Sequence, residues 1–518
     1  MYLVSTNEMR EMDRLAIESF GLPGRILMEN AGKGATEVLL ECFPEVLHQK
    51  VGIIAGRGNN GGDGFVVARY LARNRVDVKV FVAAHTREVK GEAALNLELL
   101  PRMNIPIIEI ADRNSFLTHA DEMRGIELWV DALFGTGIHS TISGYCKELI
   151  EFINSLKRPI LSIDTPSGLD SDTGHPCGVC IHADVTVTFG FPKIGQILYP
   201  GALHTGRLEI IDIGIPPPVI DEVTPLQKLI TPEMIGSILK SRPMDAHKGD
   251  TGHLLVVAGS VGKTGAAAMT SLSAMRSGAG LVTLCIPESL NPTVESLILE
   301  PMTHPLAETE PGILTESALE PIMALTPGKR SLALGPGLGT ADGTARLVMG
   351  LIERCDVPMI IDADGLNCLA GSLNILKKAK APLVLTPHPG EMSRLSGIST
   401  QEIQKDRISH AKRFAKKFSV IVVLKGARTI IALPDGHLFV NSTGNPGMAS
   451  GGMGDVLTGV IAGFMTQGYL PWEAACAGVY LHGAAADLLA ERRGPIGFLA
   501  SEVMEAVPEQ IRKVMAGK

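Results

Sequence analysis

Short apolar runs alternate with amphipathic helical patterns along most of the chain. Near the start, Ser5 and Glu8 have the spacing of a helix capping box, and Met9, Met12 and Leu15 then recur on one helical face. In the first half, the apolar runs that predict strands lie at 51–56, 78–84, 128–135, 159–168 and 185–190. A second series lies at 253–259, 281–287, 331–339, 358–367, 382–391 and 420–426. Strands that alternate with helices are typical of βαβ units, so the pattern predicts an α/β fold with parallel sheets.

The two series are separated by a stretch without clear periodicity. Residues 214–232 contain three consecutive prolines and several charges, which is typical of a linker. We therefore predict two α/β domains, spanning residues 1–220 and 226–518. Beyond the last apolar run, Asp435-Gly436 predicts a β-hairpin.

Composition and charge narrow the class of protein. The 518 residues are 45% hydrophobic and 20% charged, as in a soluble protein with large cores. A net charge of −8 with only 4% aromatic residues argues against nucleic-acid and anionic-membrane partners. The 8 cysteines are scattered, which favours a reducing compartment over a disulfide framework. With no signal-peptide pattern and no long apolar run, we expect a cytoplasmic protein. As separate expectations, it acts on small molecules and forms a homo-oligomer, such as a tetramer.

A glycine-rich turn follows the first strong strand. Residues 56–61 match G-x-G-x-x-G between a predicted strand and a predicted helix, where backbone N–H groups can bind a phosphate. A tight strand-to-helix turn without any ligand would use the same glycines. The next strand ends at residues 83–85 without an acid to hold a ribose, which disfavours an ordinary dinucleotide dehydrogenase.

Two further strands of the first half end in carboxylates, Asp131 and Asp164. Ligands of open parallel sheets bind outside the carboxyl ends of the strands, so both acids are expected to face the turn at 59–63. The alternative is that each acid caps a neighbouring loop. Asn60, Asp131 and Ser167 would form an oxygen-only ligand set with one negative charge, which suits a hard monovalent cation better than a divalent one.

Residues 1–215 resemble the N-terminal domain of the bifunctional NAD(P)H-hydrate repair enzymes in EMREMDRLAIESFGLPGRILMENAG, NNGGDGFVVARYL, VDALFGTG, DTPSGLDSDTG and ADVTVTFGFPKIG. The resemblance implies a Rossmann-like three-layer sandwich and an epimerase that interconverts the R and S hydrates of NADH and NADPH (NADHX and NADPHX) at nicotinamide C6. It implies that Asp164 is catalytic and that Asn60, Asp131 and Ser167 hold K⁺. The residues that it implies in hydrate binding are Asn59, Asn60, Gly61, Gly62, Asp63, Gly135, Thr136, Gly137, Ile138, His139, Ser140, Thr141 and Asp164.

One local pattern suggests a metal. His175, Cys177, Cys180 and His182 offer zinc-type ligands within a short segment. Tetrahedral zinc sites usually draw on two separated pairs of ligands, so we expect an incidental loop, with zinc or redox function as the alternative.

The second half contains two glycine-rich segments. Residues 258–264 are similar to a P-loop, but Val257 stands where that motif needs glycine, which disfavours a P-loop ATPase. Glycines 451, 452 and 454 precede an apolar helix and predict an anion-binding nest at its N-terminus. Asp455 follows directly. It is suited to act as a general base on a substrate hydroxyl, or else it only caps the helix.

Residues 226–515 resemble the NAD(P)H-hydrate dehydratase domain in HKGDTGHLLVVAGS, TGAAAMTSLSAMRSGAGLVTL, LGPGLG, IDADGLN, LTPHPGEMSRL, VLKGART and GNPGMASGGMGDVLTG. The resemblance implies a ribokinase-like domain that dehydrates the S hydrate with Mg²⁺ and ADP as co-substrate, giving AMP and phosphate, with Asp455 catalytic. The residues that it implies in hydrate binding are Ala266, Gly337, His388 and Asp455. Those that it implies in nucleotide binding are Lys425, Gly426, Ala427, Arg428, Thr429 and Gly454.

Two other functions are compatible with parts of this pattern. A sugar or vitamin kinase fused to a Rossmann-like domain would share the glycine nest and its acid. A non-catalytic scaffold would share the fold, but we expect it to lack acids at the strand ends. Asp131, Asp164 and Asp455 are all present, which favours an enzyme.

Overall fold

The computed structural model describes residues 1–517, which divide into two compact units. One unit comprises Tyr2–Pro225, and the other comprises Met1 together with the chain from Leu226 onward. Each unit is built around its own sheet of largely parallel strands, which confirms the predicted α/β class. Within residues 1–517, no helix combines the length and apolarity needed to cross a membrane.

The N-terminal unit alternates strands and helices as the sequence predicts. Its strands are β1 (Tyr2–Leu3), β2 (Lys50–Ala55), β3 (Asp77–Val82), β4 (Ile107–Glu109), β5 (Leu128–Ala132), β6 (Ile160–Ile163), β7 (Val185–Phe189) and β8 (Arg207–Ile211). Its helices are α1 (Thr6–Arg14), α2 (Gly24–Cys42), α3 (Asn59–Arg73), α4 (Gly91–Leu99), α5 (Arg113–Arg124), α6 (Gly144–Ser155), α7 (Ile194–Ile197), α8 (Gly201–Thr205) and α9 (Pro217–Val223). The predicted capping box is confirmed, because Ser5 Oγ accepts the N–H of Glu8 and Glu8 Oε2 accepts the N–H of Ser5.

The sheet of this unit has the order β4-β3-β2-β5-β6-β7-β8, with every neighbouring pair parallel. Successive side chains of a strand point to opposite faces. Ile53 therefore packs in a core with residues of α1–α4, whereas Ile54 packs in a second core with residues of α5 and α6. Helices on both faces of one sheet make three layers, as expected. Because β3 and β5 flank β2, the strand order reverses there.

The stretch predicted to be a linker is structured instead. Pro216 is the N-cap of helix α9, and Pro217 occupies its first turn, where a missing N–H costs nothing. Val219 is buried in a core of the N-terminal unit. The boundary between the units falls after Pro225, and strand β9 begins at Gln227.

The C-terminal unit contains the longer series of elements. Its strands are β9 (Gln227–Leu229), β10 (His253–Val257), β11 (Leu281–Pro287), β12 (Met302–Leu306), β13 (Ser331–Leu334), β14 (Met359–Ile361), β15 (Leu383–Leu385), β16 (Ile421–Leu424), β17 (Ile430–Ala432) and β18 (Leu438–Val440). Its helices are α10 (Pro232–Ile238), α11 (Thr264–Arg276), α12 (Asn291–Glu295), α13 (Leu319–Leu325), α14 (Asp342–Arg354), α15 (Asp364–Asn367), α16 (Pro389–Ser396), α17 (Thr400–Lys405), α18 (Arg407–Phe418), α19 (Met453–Thr466), α20 (Pro471–Arg493) and α21 (Ala500–Ala516).

Within this unit the strands run in the order β9-β18-β17-β16-β15-β14-β13-β10-β11-β12. All neighbours are parallel except β17, which pairs antiparallel with β16 and β18. The β17–β18 hairpin turns at Asp435-Gly436, as predicted. Helices α11, α19, α20 and α21 share one core on the sheet, and α19 packs against β13 and β14. The N-terminus of α19 thereby meets the acids that follow β14.

Two candidate active sites

The N-terminal unit has a cavity of about 590 Å³ at the carboxyl ends of β2, β5 and β6. The strand order reverses between β2 and β5, and such points are where open α/β sheets bind ligands. Helix α3 begins there at Asn59 without a side-chain cap, so its first N–H groups are available. The predicted hydrate-binding residues that line the cavity are Asn59, Asn60, Asp63, Gly135, Thr136, Gly137, Ile138 and Asp164.

Five other predicted contacts lie outside this lining: Gly61, Gly62, His139, Ser140 and Thr141. The two glycines instead allow close packing of α3. An added Cβ at Gly61 would lie 2.0 Å from the carbonyl oxygen of Gly56, and one at Gly62 would lie 2.7 Å from Met28 Cε. The exposed His139 lies with its Nδ1 atom 3.3 Å from a carboxylate oxygen of Asp170.

The predicted cation ligands lie beside the cavity. Asp131 is fully buried; its carboxylate accepts hydrogen bonds from Ser162 Oγ (2.8 Å), from Ser167 Oγ (2.5 Å) and from the N–H of Ser167 (2.8 Å). All these donors are neutral, and burial raises the pKa of Asp131. Both polar atoms of the Asn60 side chain are buried without a partner among residues 1–517. A buried carboxylate without a cationic partner at the end of β5 and an orphaned amide oxygen at the start of α3 are ligand types that fit a monovalent cation.

Asp164 is held in an unusual position at the end of β6. Its φ of +61° lies in the left-handed region, which Asp tolerates better than most residues. Its Oδ1 atom accepts a hydrogen bond from Lys193 Nζ at 2.5 Å, and Lys193 also donates to Thr188 Oγ1. The Lys193 side chain is 1% exposed and that of Asp164 is 17% exposed, so the cavity wall contains an ion pair whose lysine is buried.

Two more carboxylates, Asp13 of α1 and Asp63 of α3, line the same cavity. Burial, and then the charge of Asp164, raises the pKa of Asp13 to about 6. Burial raises the pKa of Asp63 well above its usual range, with Asp164 and Asp13 adding to the effect. The raised pKa values favour the protonated forms of Asp13 and Asp63, so the cavity offers proton donors beside Asp164.

The histidine–cysteine segment does not form a metal group. Cys177 Sγ contacts the carbonyl oxygen of Ile138, and His182 stacks on His204 with ring centroids 4.5 Å apart. In the part of the chain that the structure describes, the one group with metal-ligand spacing is His139, Asp170 and Asp172. Its carboxylates already accept backbone N–H groups, including that of Thr6.

In the C-terminal unit, the glycine-rich segment forms the N-terminus of α19. Gly452, with φ +87°, is the N-cap and no side chain caps the helix, so the alternative that Asp455 only caps it is wrong. The Asp455 carboxylate accepts no hydrogen bond from residues 1–517. Burial, followed by the charge of Asp362, raises the pKa of Asp455 to about 6. A carboxyl group with this pKa beside free N–H groups is suited to general-base chemistry on an anionic substrate.

A buried lysine faces this nest. Lys425 Nζ lies 2.6 Å from Asp362 Oδ1 and 3.8 Å from Glu391 Oε2, and an added Cβ at Gly454 would lie 3.3 Å from it. Burial disfavours the charged form of Lys425, but the charges of Asp362 and Glu391 outweigh it and raise the pKa. The ammonium is therefore fixed beside the nest as a permanent positive charge.

Other predicted hydrate-binding residues lie around the same edge of the sheet. An added Cβ at Gly337, whose φ is +64°, would lie 3.2 Å from Ala266 Cβ, so these two residues are neighbours. Lys263, from the P-loop-like segment, is paired with Asp364 at 2.8 Å. His388 caps α16 and accepts the N–H of Gly390 at Nδ1, which requires that nitrogen to be unprotonated.

The predicted nucleotide loop, residues 425–429, is held in place by hydrogen bonds from a buried arginine. Arg407 donates to the carbonyl oxygens of Ala427 (2.6 Å) and Leu424 (3.1 Å), and burial lowers its pKa to about 10. Arg428 has φ +58° and donates to the carbonyl oxygen of Ser442. Whether this loop contacts a nucleotide stays a prediction.

Sequence reasoning missed several of these groups: Asp13, Lys193, Asp362, Asp364 and Arg407. Asp362 follows strand β14 directly, so the rule that singled out Asp131 and Asp164 would also have found it. Asp13 lies four positions after the buried Met9 on the same helical face, where a carboxylate is unexpected. Lys193 and Arg407 gave no comparable signal.

The fold and the two sites define a two-unit α/β enzyme with acid–base groups at the sheet edge of each unit. Family models match residues 254–509 as NAD(P)H-hydrate dehydratase and residues 24–195 as YjeF-related protein N-terminus. The bifunctional NAD(P)H-hydrate repair enzyme of Moorella thermoacetica is 42% identical over 99% of this chain and 97% of its own length. The chain belongs to the family of bifunctional NAD(P)H-hydrate repair enzymes, which confirms the resemblance inferred from its motifs.

Further relatives cover one or both units. The bifunctional NAD(P)H-hydrate repair enzyme of Escherichia coli K12 is 36% identical over 99% of this chain and 94% of its own length. Among solved structures, the ADP/ATP-dependent NAD(P)H-hydrate dehydratase of Bacillus subtilis, co-crystallised with ATP and Mg²⁺, is 32% identical. It covers 55% of this chain and 98% of its own, with a TM-score of 0.48.

Proposed function

We propose that the N-terminal unit epimerises the R and S hydrates of NADH and NADPH, and that the C-terminal unit converts the S hydrate to NAD(P)H with ADP, giving AMP and phosphate. The observation that carries the proposal is the Asp455 carboxylate, unpaired and with a pKa of about 6, beside the N–H groups of the glycine nest. Incubation with NADH hydrate, ADP and Mg²⁺ tests it, with growth of the NADH absorbance band as the expected result. Accumulation of a phosphorylated hydrate without NADH would favour a kinase.

In the C-terminal unit, each group has a role in phosphoryl transfer followed by elimination. Asp455 takes the proton of the C6 hydroxyl, whose oxygen attacks the terminal phosphorus of ADP as AMP leaves. The nest and Lys425 stabilise the negative charge of the phosphates. Phosphate then leaves C6, driven by the lone pair of the ring nitrogen, and loss of a proton from C5 gives the dihydropyridine.

We expect Mg²⁺ to enter the site bound to the phosphates of ADP. This ion is usually held by one or two carboxylates together with phosphate oxygens rather than by a protein cage. No group of three carboxylate, histidine or cysteine ligands surrounds the nest within residues 1–517, in keeping with this. Lys425–Thr429 and Gly454 would contact the nucleotide, and Ala266, Gly337 and His388 the hydrate.

In the N-terminal unit, the carboxyl groups around Lys193 are suited to exchange of the C6 hydroxyl. A protonated carboxyl, Asp13 or Asp63, gives its proton to the departing hydroxyl, which leaves as water while the ring nitrogen supplies electrons. Water then adds to the opposite face of C6, and the Asp164 carboxylate accepts its proton. Lys193 orients the Asp164 carboxylate through the contact at 2.5 Å between its Nζ atom and Asp164 Oδ1.

We expect K⁺ to stimulate epimerisation more than Na⁺ or Li⁺, because one carboxylate with neutral oxygens suits a large, weakly hydrated cation. Asn60, Asp131 and Ser167 would hold it and so fix the loop at Phe134, whose N–H donates to Ser167 Oγ. Asn60→Ala should weaken K⁺ binding about 10- to 100-fold, by analogy with losses at other metal sites. The readouts are the epimerase rate and the rise in melting temperature with K⁺. Equal rates and melting temperatures in all three salts would contradict the site.

We also expect the two activities to separate when the chain is cut between Pro225 and Leu226. Each piece keeps its own sheet and core, and α9 stays with the N-terminal piece in which Val219 is buried. The C-terminal piece should dehydrate only the S hydrate and stop early on a mixed sample, and adding residues 1–225 should restore full conversion. A C-terminal piece that consumes both epimers at equal rates would show that the division of labour is wrong.

The expected cytoplasmic location and homo-oligomeric state belong to the same proposal. Native mass measurement and cell fractionation test them.

A further inference from the structure

The C-terminal unit has a second cavity, which lies between α10, α20 and α21. Its volume is about 700 Å³, within the roughly 300–1,000 Å³ typical of small-molecule sites. None of the residues predicted to bind hydrate or ADP lines it. It is therefore a separate candidate for ligand binding.

Two buried polar side chains of the cavity wall lack partners. Tyr480 is 8% exposed and Gln510 is 4% exposed. Neither the Tyr480 hydroxyl nor the Gln510 amide makes a hydrogen bond within residues 1–517. The polar atoms of these two side chains are not among the fully buried unpartnered atoms of residues 1–517, so they face the open space of the cavity. Both groups are thus available to a ligand in the cavity.

The charge of the lining selects the kind of ligand. Glu233, Asp487 and Glu491 line the cavity, against a single lysine, Lys513. Asp487 is held in place because it accepts the N–H of Gly444 (2.9 Å) and Asn445 Nδ2 (2.8 Å). Burial, and then the charges of Glu233 and Asp487, raises the pKa of Tyr480, in keeping with a phenol that faces both carboxylates. Such a lining repels phosphates and attracts cations.

The spacing of the acids argues against a metal ion. The three carboxylates do not come close enough to form a metal group within residues 1–517. The lining also contains the apolar residues Ala484, Leu488 and Val514. These side chains can pack against the methylene groups of a ligand. We propose that this cavity binds a small organic cation with two or more amino groups. The carboxylates hold its ammonium groups, and the oxygens of Tyr480 and Gln510 accept their hydrogen bonds.

Calorimetric titration of the full chain with spermidine, at constant ionic strength, tests the proposal. One binding site per chain is expected. Tyr480→Phe removes one acceptor and should weaken binding about 10-fold, as expected for a hydrogen bond to a charged group. The double variant Glu233→Gln/Glu491→Gln should weaken it by more than 10-fold. The double variant Glu320→Gln/Glu505→Gln is the matched control, because it removes the same two charges from exposed positions outside the cavity.

Three outcomes would overturn the proposal. One is equal spermidine affinity in all variants and the control. The second is complete displacement of spermidine by an equivalent charge of Mg²⁺, which would indicate screening alone. The third is competition between spermidine and ADP, which would make the cavity part of the nucleotide site. Unchanged melting temperature and dehydratase rate in Tyr480→Phe would exclude unfolding as the cause of weaker binding.

Discussion

Asp455→Asn is expected to lower the rate of S-hydrate dehydration about 10²- to 10⁴-fold, because it removes the general base and leaves the nest and Lys425 in place. Epimerisation should continue at the wild-type rate, since Asp164 and its neighbours lie in the other unit. In the wild type, kcat/KM should rise with pH through about 6, where Asp455 loses its proton. The residual activity of the variant should not show this rise with pH.

The same substitution is expected to stabilise the fold. The pKa of Asp455 is raised from 3.8 to about 6, so the folded protein binds a proton more tightly than the unfolded chain. The free energy of unfolding therefore falls as the pH rises between these two values. The whole decrease is reached above about pH 6. Two pKa units correspond to about 3 kcal/mol, an upper limit for a partly exposed group. The free energy of unfolding should increase in Asp455→Asn at neutral pH, and should change little at about pH 3, below both pKa values.

Asp342→Asn provides the matched control for Asp455→Asn. Asp342 also lies in the first turn of a helix, α14, but it is exposed. It should change neither activity nor the pH profile. Dehydration by Asp455→Asn within about threefold of wild type would remove Asp455 from the mechanism.

The second large effect is expected at Asp164. Asp164→Asn should reduce epimerisation about 10²- to 10⁴-fold, because the amide cannot accept the proton of the attacking water and no longer balances Lys193. Asn tolerates the left-handed backbone at this position, so the turn itself should persist. Dehydration of pure S hydrate should be unaffected. The measurement is the rate at which R hydrate converts to S hydrate.

Asp184→Asn is the control for this change. Asp184 accepts the N–H of Ile160 at the opposite edge of the same sheet, and an amide oxygen can replace that contact. If Asp164→Asn epimerises as fast as Asp184→Asn, the acid–base role falls to Asp13 or Asp63 instead. Single Asn substitutions there would then identify the residue.

The sequence already contained the element order and the chemistry of the strand ends. Apolar runs of the right length marked β2, β5, β6, β10 and β14, because a strand buried on both faces requires continuous hydrophobic side chains. Asp131 and Asp164 could be placed at one edge, since the carboxyl ends of parallel strands meet there. The boundary between the units falls inside the stretch predicted to be a linker, but that stretch is structured, because prolines are also favoured in the first turn of a helix, as in α9.

By itself, then, the sequence determined the α/β class, the family, and the positions of Asp164 and Asp455 beside glycine-rich turns, because these depend on local periodicity and motif spacing. Only the tertiary structure decided which groups surround those acids. Lys193 reaches Asp164 from 29 positions away, and Lys425 reaches Asp362 from 63 positions away. Burial and charge from such distant residues set the pKa values on which the chemistry depends, and no local pattern records them.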